Sequence, residues 1–424
     1  MPLTDTRALP TGASSEAANA AVSEGIERLL GAQVGTFQCL KEALLQDPDC
    51  ALAHAVLARH HQVMAEPGPA RAALERALQL APRAPARVQG VVGIFDRLMA
   101  GDGAAALARI QEHLTEWPRD MLAMAPSAGV FGLFGFSGKP GREAALLEFL
   151  QGYREAVDDD WWFQSALAFA LSETGQIKAA REQIEHSLAQ RPQSANGAHI
   201  RTHVAYEAGE HAESRQWLQA WFSGYEREGL MHCHLGWHLA LAALQMGDLD
   251  AAWNDYQQWV APGAAWGPPL NLVTDSVSFL MRMQWAGTEV PAQQWQTLSE
   301  VAQHAFAKPG LSFADLHVVI GHAMAGADEQ LAAYTGELAG SAGDLVSALA
   351  RGFQCLMDDE PAEALDHWQI VLEQNARLGG SRAQRDLIAG LVNAVRAQRG
   401  QLPVGAAFVR PDHGLGATLR RGGR

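Results

Sequence analysis

The spacing of prolines and glycines constrains this chain more than any other feature. Pro48, Pro82, Pro118 and Pro192 stand at similar places in LLQDPDCALAHAVLA, LQLAPRAPARVQGVV, LTEWPRDMLAMAPSA and LAQRPQSANGAHIRT, separated by 34, 36 and 74 residues. The last gap is two steps of 37. Proline fits at or just before a first helical turn, where its missing N–H would be unpaired anyway. A second series, Gly101, Gly175, Gly209 and Gly247 in MAGDGAAA, SETGQIKAA, YEAGEHAES and LQMGDLDAAW, interleaves with the first. Glycine just past a helix end supplies a left-handed residue that other side chains resist. Each unit therefore reads as helix A, a glycine turn, helix B and a linker. That is the tetratricopeptide form, in which each helical pair is covered by the next. We expect an all-α solenoid of such repeats, curved, with the A helices on its concave side.

The boundaries follow from where the pattern weakens. Residues 1–15 form an N-terminal segment, 16–262 a first group of repeats and 263–402 a second. Residues 403–424 form a flexible tail ending in RRGGR. FSGKPG at 136–141 and WVAPGAAWGPPL at 259–270 are the clearest breaks. Composition agrees with a large packed interior, since 48% of the 424 residues are hydrophobic. A formal net charge of −15 without a basic stripe argues against nucleic acid and against an anionic membrane surface. No apolar run reaches transmembrane length, and the N-terminus lacks the apolar core of a secretory signal. Cys39, Cys50, Cys233 and Cys355 have no paired spacing, so neither a disulfide framework nor a zinc ribbon is expected. A cytoplasmic location follows.

Histidine supplies the chemistry. HCHLGWH places His234 and His238 four residues apart, on one helix face. GAHIRTH places His199 and His203 in the same way, and both members of the two pairs differ by 35 residues, one repeat step. The pairs should therefore occupy equivalent positions on successive A helices, with His232 on another face. Imidazoles projecting from neighbouring helices are a metal-site arrangement, suited to a divalent transition metal such as zinc. Glu207, one further helical step, would be another ligand, an outer acceptor or a general base. The set lacks HExxH, and four histidines without a carboxylate are unusual for catalytic zinc. The bland alternative is a hydrogen-bonded imidazole network that only fixes repeat geometry.

Further A-helix polar residues continue the pattern: Asp275 and Ser276, then Asp315, His317 and His322, then Gln384, Arg385 and Asp386. The plain expectation for Asp275 is a solvated face, and for Asp315 and Asp386 a charge or cap at a helix start. For Arg385 it is a surface pair with Asp386. Trp161, Trp162, Trp217, Trp221, Trp237, Trp253 and Trp259 are expected mainly in the core. Cys233 is expected as a small buried hydrophobe.

These segments together resemble the tetratricopeptide repeat protein 38 family. LPTGASSEA, DPDCALAHAVLA, WPRDMLA, AHIRTHVAYE, HCHLGWHLALAALQMGDLDAAWNDY, VTDSVSFLMR, FADLHVVIGHAMAG and GGSRAQRD follow in order along nearly the whole chain. An excess of arginine over lysine suits a bacterial member. The resemblance implies a cytoplasmic helical-repeat protein and no known reaction. It draws attention to His54, His199, His203, His234, His238, Asp275, Asp315, His317, Gln384, Arg385 and Asp386. One departure is local: the family typically has a further histidine after the AHIRTH pair, where this chain has Ala205 and Tyr206.

Two functional readings stand side by side. In the first, an interior pocket binds a small molecule and transforms it by acid–base or metal-assisted hydrolytic chemistry. His199, His203, His234, His238 and Asp275 would be catalytic, the four histidines possible metal ligands, and Asp315, His317, Arg385 and Asp386 substrate-binding. In the second, the repeats are a scaffold that holds a peptide or protein partner in a groove, without catalysis. A pH-sensitive structural histidine cluster is a weaker third.

Overall fold

The structure, a computed structural model, describes residues 2–401. Those residues form helices, turns and one isolated antiparallel bridge, Thr4 with Pro10. An all-α helical repeat is what the spacing predicts. The tail expected over 403–424 lies outside the described residues.

The chain divides into two compact units, each assembled from separate stretches of sequence. Unit 1 takes residues 1–134, 143–204 and 221–232, and unit 2 takes 135–142, 205–220 and 233 onward. These units follow contact rather than repeat count, so they do not bear on the expected repeat boundary at 262/263.

Unit 1 begins with helical hairpins: α1 (Glu16–Leu30) on α2 (Thr36–Gln46), α3 (Ala51–Val63) on α4 (Pro67–Leu80), and α5 (Ala86–Met99) on α6 (Gly103–Glu116). Short α7 (Met121–Met124), α8 (Arg142–Gln151) and α9 (Arg154–Val157) lead to the hairpin α10 (Trp161–Glu173) and α11 (Ile177–Gln190). Helix α10, WWFQSALAFALSE, is buried on every side, as its lack of a polar face requires. Asp160 caps it, accepting from the Trp162 and Phe163 amides at 2.9 and 3.1 Å. The other oxygen of Asp160 accepts from Arg7 Nε at 2.7 Å, and Arg7 also pairs with Glu27. A second buried pair holds Arg87, whose Nε and Nη2 donate to the two oxygens of Asp120 at 2.6 and 2.9 Å. The N-terminal segment is thus fastened by charges that water cannot reach.

Helix α12 (Ala195–Ala208) and α13 (His211–Phe222) run across the division between the units. Unit 2 continues with α14 (His232–Gln245), α15 (Leu249–Asp255), α16 (Pro269–Trp285), α17 (Ala292–Ala305), α18 (Ser312–Ala325), α19 (Asp328–Gly336), α20 (Gly343–Met357), α21 (Pro361–Glu373) and α22 (Arg382–Gln398). Helix α15 ends in a π-helical turn, Tyr256–Val260, and the chain is irregular from there to Pro269, where the sequence predicts a break. Helix α16 packs on α18 and α22, and α18 packs on α20. That packing positions the polar residues described below.

The turn series is present as expected: Gly101, Gly175, Gly209 and Gly247 have φ of 76, 80, 75 and 79°. Three hairpin turns take the same conformation without glycine, at Ala32 (φ 50°), Ala65 (φ 60°) and Asp359 (φ 61°). Ala65 and Asp359 are exposed, so backbone strain is the main term at those two. Ala65→Gly and Asp359→Gly should each raise unfolding stability by about 0.5–1 kcal/mol, while Gly175→Ala should lower it by about 1 kcal/mol. Urea titrations followed by helical circular dichroism would show this, and a destabilised Ala65→Gly would contradict it.

Candidate functional site

In unit 1, His199 and His203 sit one turn apart on α12 and both are buried. Their Nε2 atoms are 2.8 Å apart, so one ring donates to the other, and the rings meet edge to face. Phe169 of α10 packs edge-on to His203. His232 stacks on Tyr225 and lies tilted against Phe222.

In unit 2, α14 brings His234 and His238 edge to face at 4.9 Å between ring centroids. Trp237 stacks flat on His234 and meets His238 edge-on, so the tryptophan fixes both imidazole planes. Asp275 of α16 is 1% exposed, which overturns the expectation of a solvated face. Its Oδ2 accepts from His234 Nδ1 at 2.8 Å. That bond fixes the tautomer and makes Nε2 the basic nitrogen of His234. Burial raises the Asp275 carboxyl above the ordinary range, opposed by the charges of His234 and Arg282. The Asn271 side chain, one turn earlier on α16, also opposes that rise, and Asp275 Oδ1 and Asn271 Nδ2 are both buried.

Around this pair lie residues from three more helices. Arg282, seven residues beyond Asp275 on α16, is buried and donates to the Ser278 carbonyl, to Ser278 Oγ and, at 2.8 Å, to the Ala383 carbonyl. Tyr206 donates to Asp386 at 2.8 Å, and Glu207 lies 3.5 Å from Arg382. On α18, His317 is 1% exposed and its Nδ1 is 2.7 Å from the Phe313 carbonyl. A carbonyl only accepts, so Nδ1 carries the proton. Burial lowers the His317 imidazole to about 4, reinforced by the charge of Arg282 and opposed by the Phe313 bond. It is therefore neutral at pH 7.

Other expected site residues have different surroundings. Asp315 accepts from the Tyr334 hydroxyl at 2.8 Å and from the Gly310 amide at 3.2 Å, the latter a bond at the start of α18. Arg385 is buried rather than a surface residue, and bonds the Gly380 carbonyl and Asn375 Oδ1 at the start of α22. Gln384 completes a capping box with Ser381. His54 bonds the Pro48 carbonyl at 3.0 Å. Cys233 is fully buried and burial pushes its thiol well above the ordinary range, so it is a packing residue rather than a nucleophile. Sequence reasoning missed Arg282 and Ser278. The signal was present in DSVSFLMR, where Asp275, Ser278 and Arg282 fall on one face.

No family model matches the chain. Among solved structures it is similar to PilW, a widely conserved type IV pilus biogenesis factor, at 17% identity over 58% of this chain and 93% of PilW, with a TM-score of 0.25. That likeness does not bear on the site.

The lowered value of His317 has a stability consequence. Between pH 6.5 and about 4 the unfolded chain takes up a proton that the folded protein refuses. Stability from this group is therefore intact above pH 6.5 and falls as pH drops toward 4, by at most about 3 kcal/mol. His317→Gln should flatten the pH dependence of unfolding in that window. An unchanged slope would place the acid sensitivity elsewhere.

Proposed function

We propose that the buried histidine and aspartate residues form a small-molecule site that works by acid–base or metal-assisted chemistry. The observation that carries this reading is the His234–Asp275 bond, a carboxylate-oriented imidazole with both partners 1% exposed in their side chains. In such a pair the carboxylate stabilises the imidazolium that forms when Nε2 takes a proton. Asp386 and His317 belong to the same proposed substrate-binding set, with Asp315 and Arg385 contributing through the helix starts they hold.

The metal version uses His199, His203, His234 and His238, four imidazoles that are each buried. Zinc is the natural candidate for imidazole ligands. Asp275 would then be the outer carboxylate that orients His234, as such partners do at metal-bound histidines. We further propose membership of the tetratricopeptide repeat protein 38 family, on HCHLGWH with GGSRAQRD, and a cytoplasmic location, which four free cysteines suit. No helix among the described residues is long and apolar enough to cross a membrane.

Zinc titration of tag-free protein tests the metal version. One ion per chain is expected, with His199→Gln and His234→Gln abolishing stoichiometric binding and Asp275→Asn weakening it about 10–100-fold. Wild-type protein that binds no stoichiometric zinc would remove the metal and leave the acid–base pair. Native mass spectrometry before and after denaturation tests the site itself. A small molecule released from wild type but missing from His234→Gln is the supporting result. An identical mass under both conditions, with no ligand gained from a metabolite extract, would end the reading.

A scaffold that binds a peptide or protein partner is the second reading, and two open grooves favour it. One of about 480 Å³ in unit 1 is edged by Arg28, Arg191, Trp221 and Tyr225. The other, of about 400 Å³ in unit 2, lies between α19 and α20 with Leu331, Arg351 and Met357. A partner captured through these residues, with the histidine variants binding it normally, would favour the scaffold.

A further inference from the structure

Arg282 is an unusual buried cation. It is 3% exposed, yet its hydrogen bonds go to neutral oxygens, the Ser278 carbonyl and hydroxyl and the Ala383 carbonyl. Among the described residues no carboxylate lies within ion-pair distance of it. The two nearby acids have taken other donors, Asp275 from His234 and Asp386 from Tyr206. Both are close enough for the guanidinium to feel their charge, and His317 in turn feels the guanidinium. By contrast, the buried arginines of unit 1, Arg7 and Arg87, each hold carboxylates directly. A buried guanidinium left on neutral oxygens is poorly compensated, and an oxyanion is the partner that suits its fork.

The same neighbourhood holds a buried acceptor without a donor: His317 Nε2 has no partner among the described residues. Because Nδ1 of His317 carries the proton toward the Phe313 carbonyl, Nε2 of the neutral ring is an acceptor. Buried polar atoms are nearly always paired, so a donor is needed to complete it.

We propose that unit 2 binds a small molecule carrying both an oxyanion, taken by Arg282, and a hydroxyl or amino group, which donates to His317 Nε2. Hydroxy acids, amino acids and hydroxylated phosphate esters share this chemistry, whereas simple carboxylates and uncharged polyols have only half of it. The proposal names the ligand class of the small-molecule site above and rests on that reading. Arg282 is the specificity-determining residue in it.

The test uses full-length, tag-free, chelator-treated protein, so that metal binding plays no part. Thermal stabilisation at fixed ionic strength compares lactate, serine and glycerol 3-phosphate with acetate, inorganic phosphate and glycerol. At least one two-group probe should bind at least tenfold more tightly than both its one-group counterparts. Arg282→Gln should lose that binding about a hundredfold, and His317→Phe should lose the preference for lactate over acetate. Wild type alone decides if the variants fail to fold. Equal stabilisation by one-group and two-group probes, or by none into the millimolar range, overturns the proposal. Such a result leaves the His234 site open to an uncharged ligand. Two-group binding that is unchanged in His234→Gln would instead sink the histidine reading and keep Arg282.

Discussion

The repeat rests on one backbone conformation. At the turn from the first to the second helix of a hairpin the chain enters the left-handed region for a single residue and turns back, and this happens at intervals that keep the next helix in step. Only glycine takes that conformation without strain, which is why the signal is visible in the sequence at Gly101, Gly175, Gly209 and Gly247. Because the turn recurs in the same form, a residue type placed at one position of helix A has a counterpart one repeat later. His199 and His203 stand four apart on α12, and His234 and His238 stand four apart on α14.

A second constraint is the cost of burying charge. A helix hydrophobic on every side, such as α10, can be packed without further provision, but an ionisable group in the same setting needs a partner. Unit 1 meets this directly, with Arg7 shared between Glu27 and Asp160 and with Arg87 forked onto Asp120. These pairs have little exposed chemistry left and serve to fasten the N-terminal segment. Unit 2 is arranged differently. There Asp275 is matched to a histidine, Asp386 to a tyrosine and Arg282 to neutral oxygens. The contrast separates residues that complete a fold from residues that leave a capacity for something else.

Much of the fold was legible in the sequence because helix ends are marked by local chemistry. The two histidine pairs were legible as pairs, since imidazoles four residues apart stand out in an apolar run. Burial was harder to read. Asp275 is indistinguishable by type from a surface acid, and only the packing of α16 on α18 and α22 removes it from water. Arg385 looked like an ordinary surface cation, but the Gly379–Gly380 turn supplies a carbonyl that draws it inward. Arg282 was passed over for a related reason. A seven-residue spacing from Asp275 shows that both share a face and says nothing about which face is buried. The division into two units has no local signature at all, because it depends on which distant segments meet.

That division has a consequence for synthesis. Residues 135–142 belong to unit 2, and Arg142 donates to the carbonyl of Gly380, 238 residues further on. At about 5–20 residues per second, a ribosome needs on the order of 10–50 s to make the intervening chain. During that interval the loop emerges beside segments of unit 1 and has to stay uncommitted until its own partners exist. A buried arginine is well suited to such waiting, since it remains soluble while exposed and becomes fixed only when carbonyl acceptors close around it. The order of the chain thus delays completion of unit 2 until its last helix has been made.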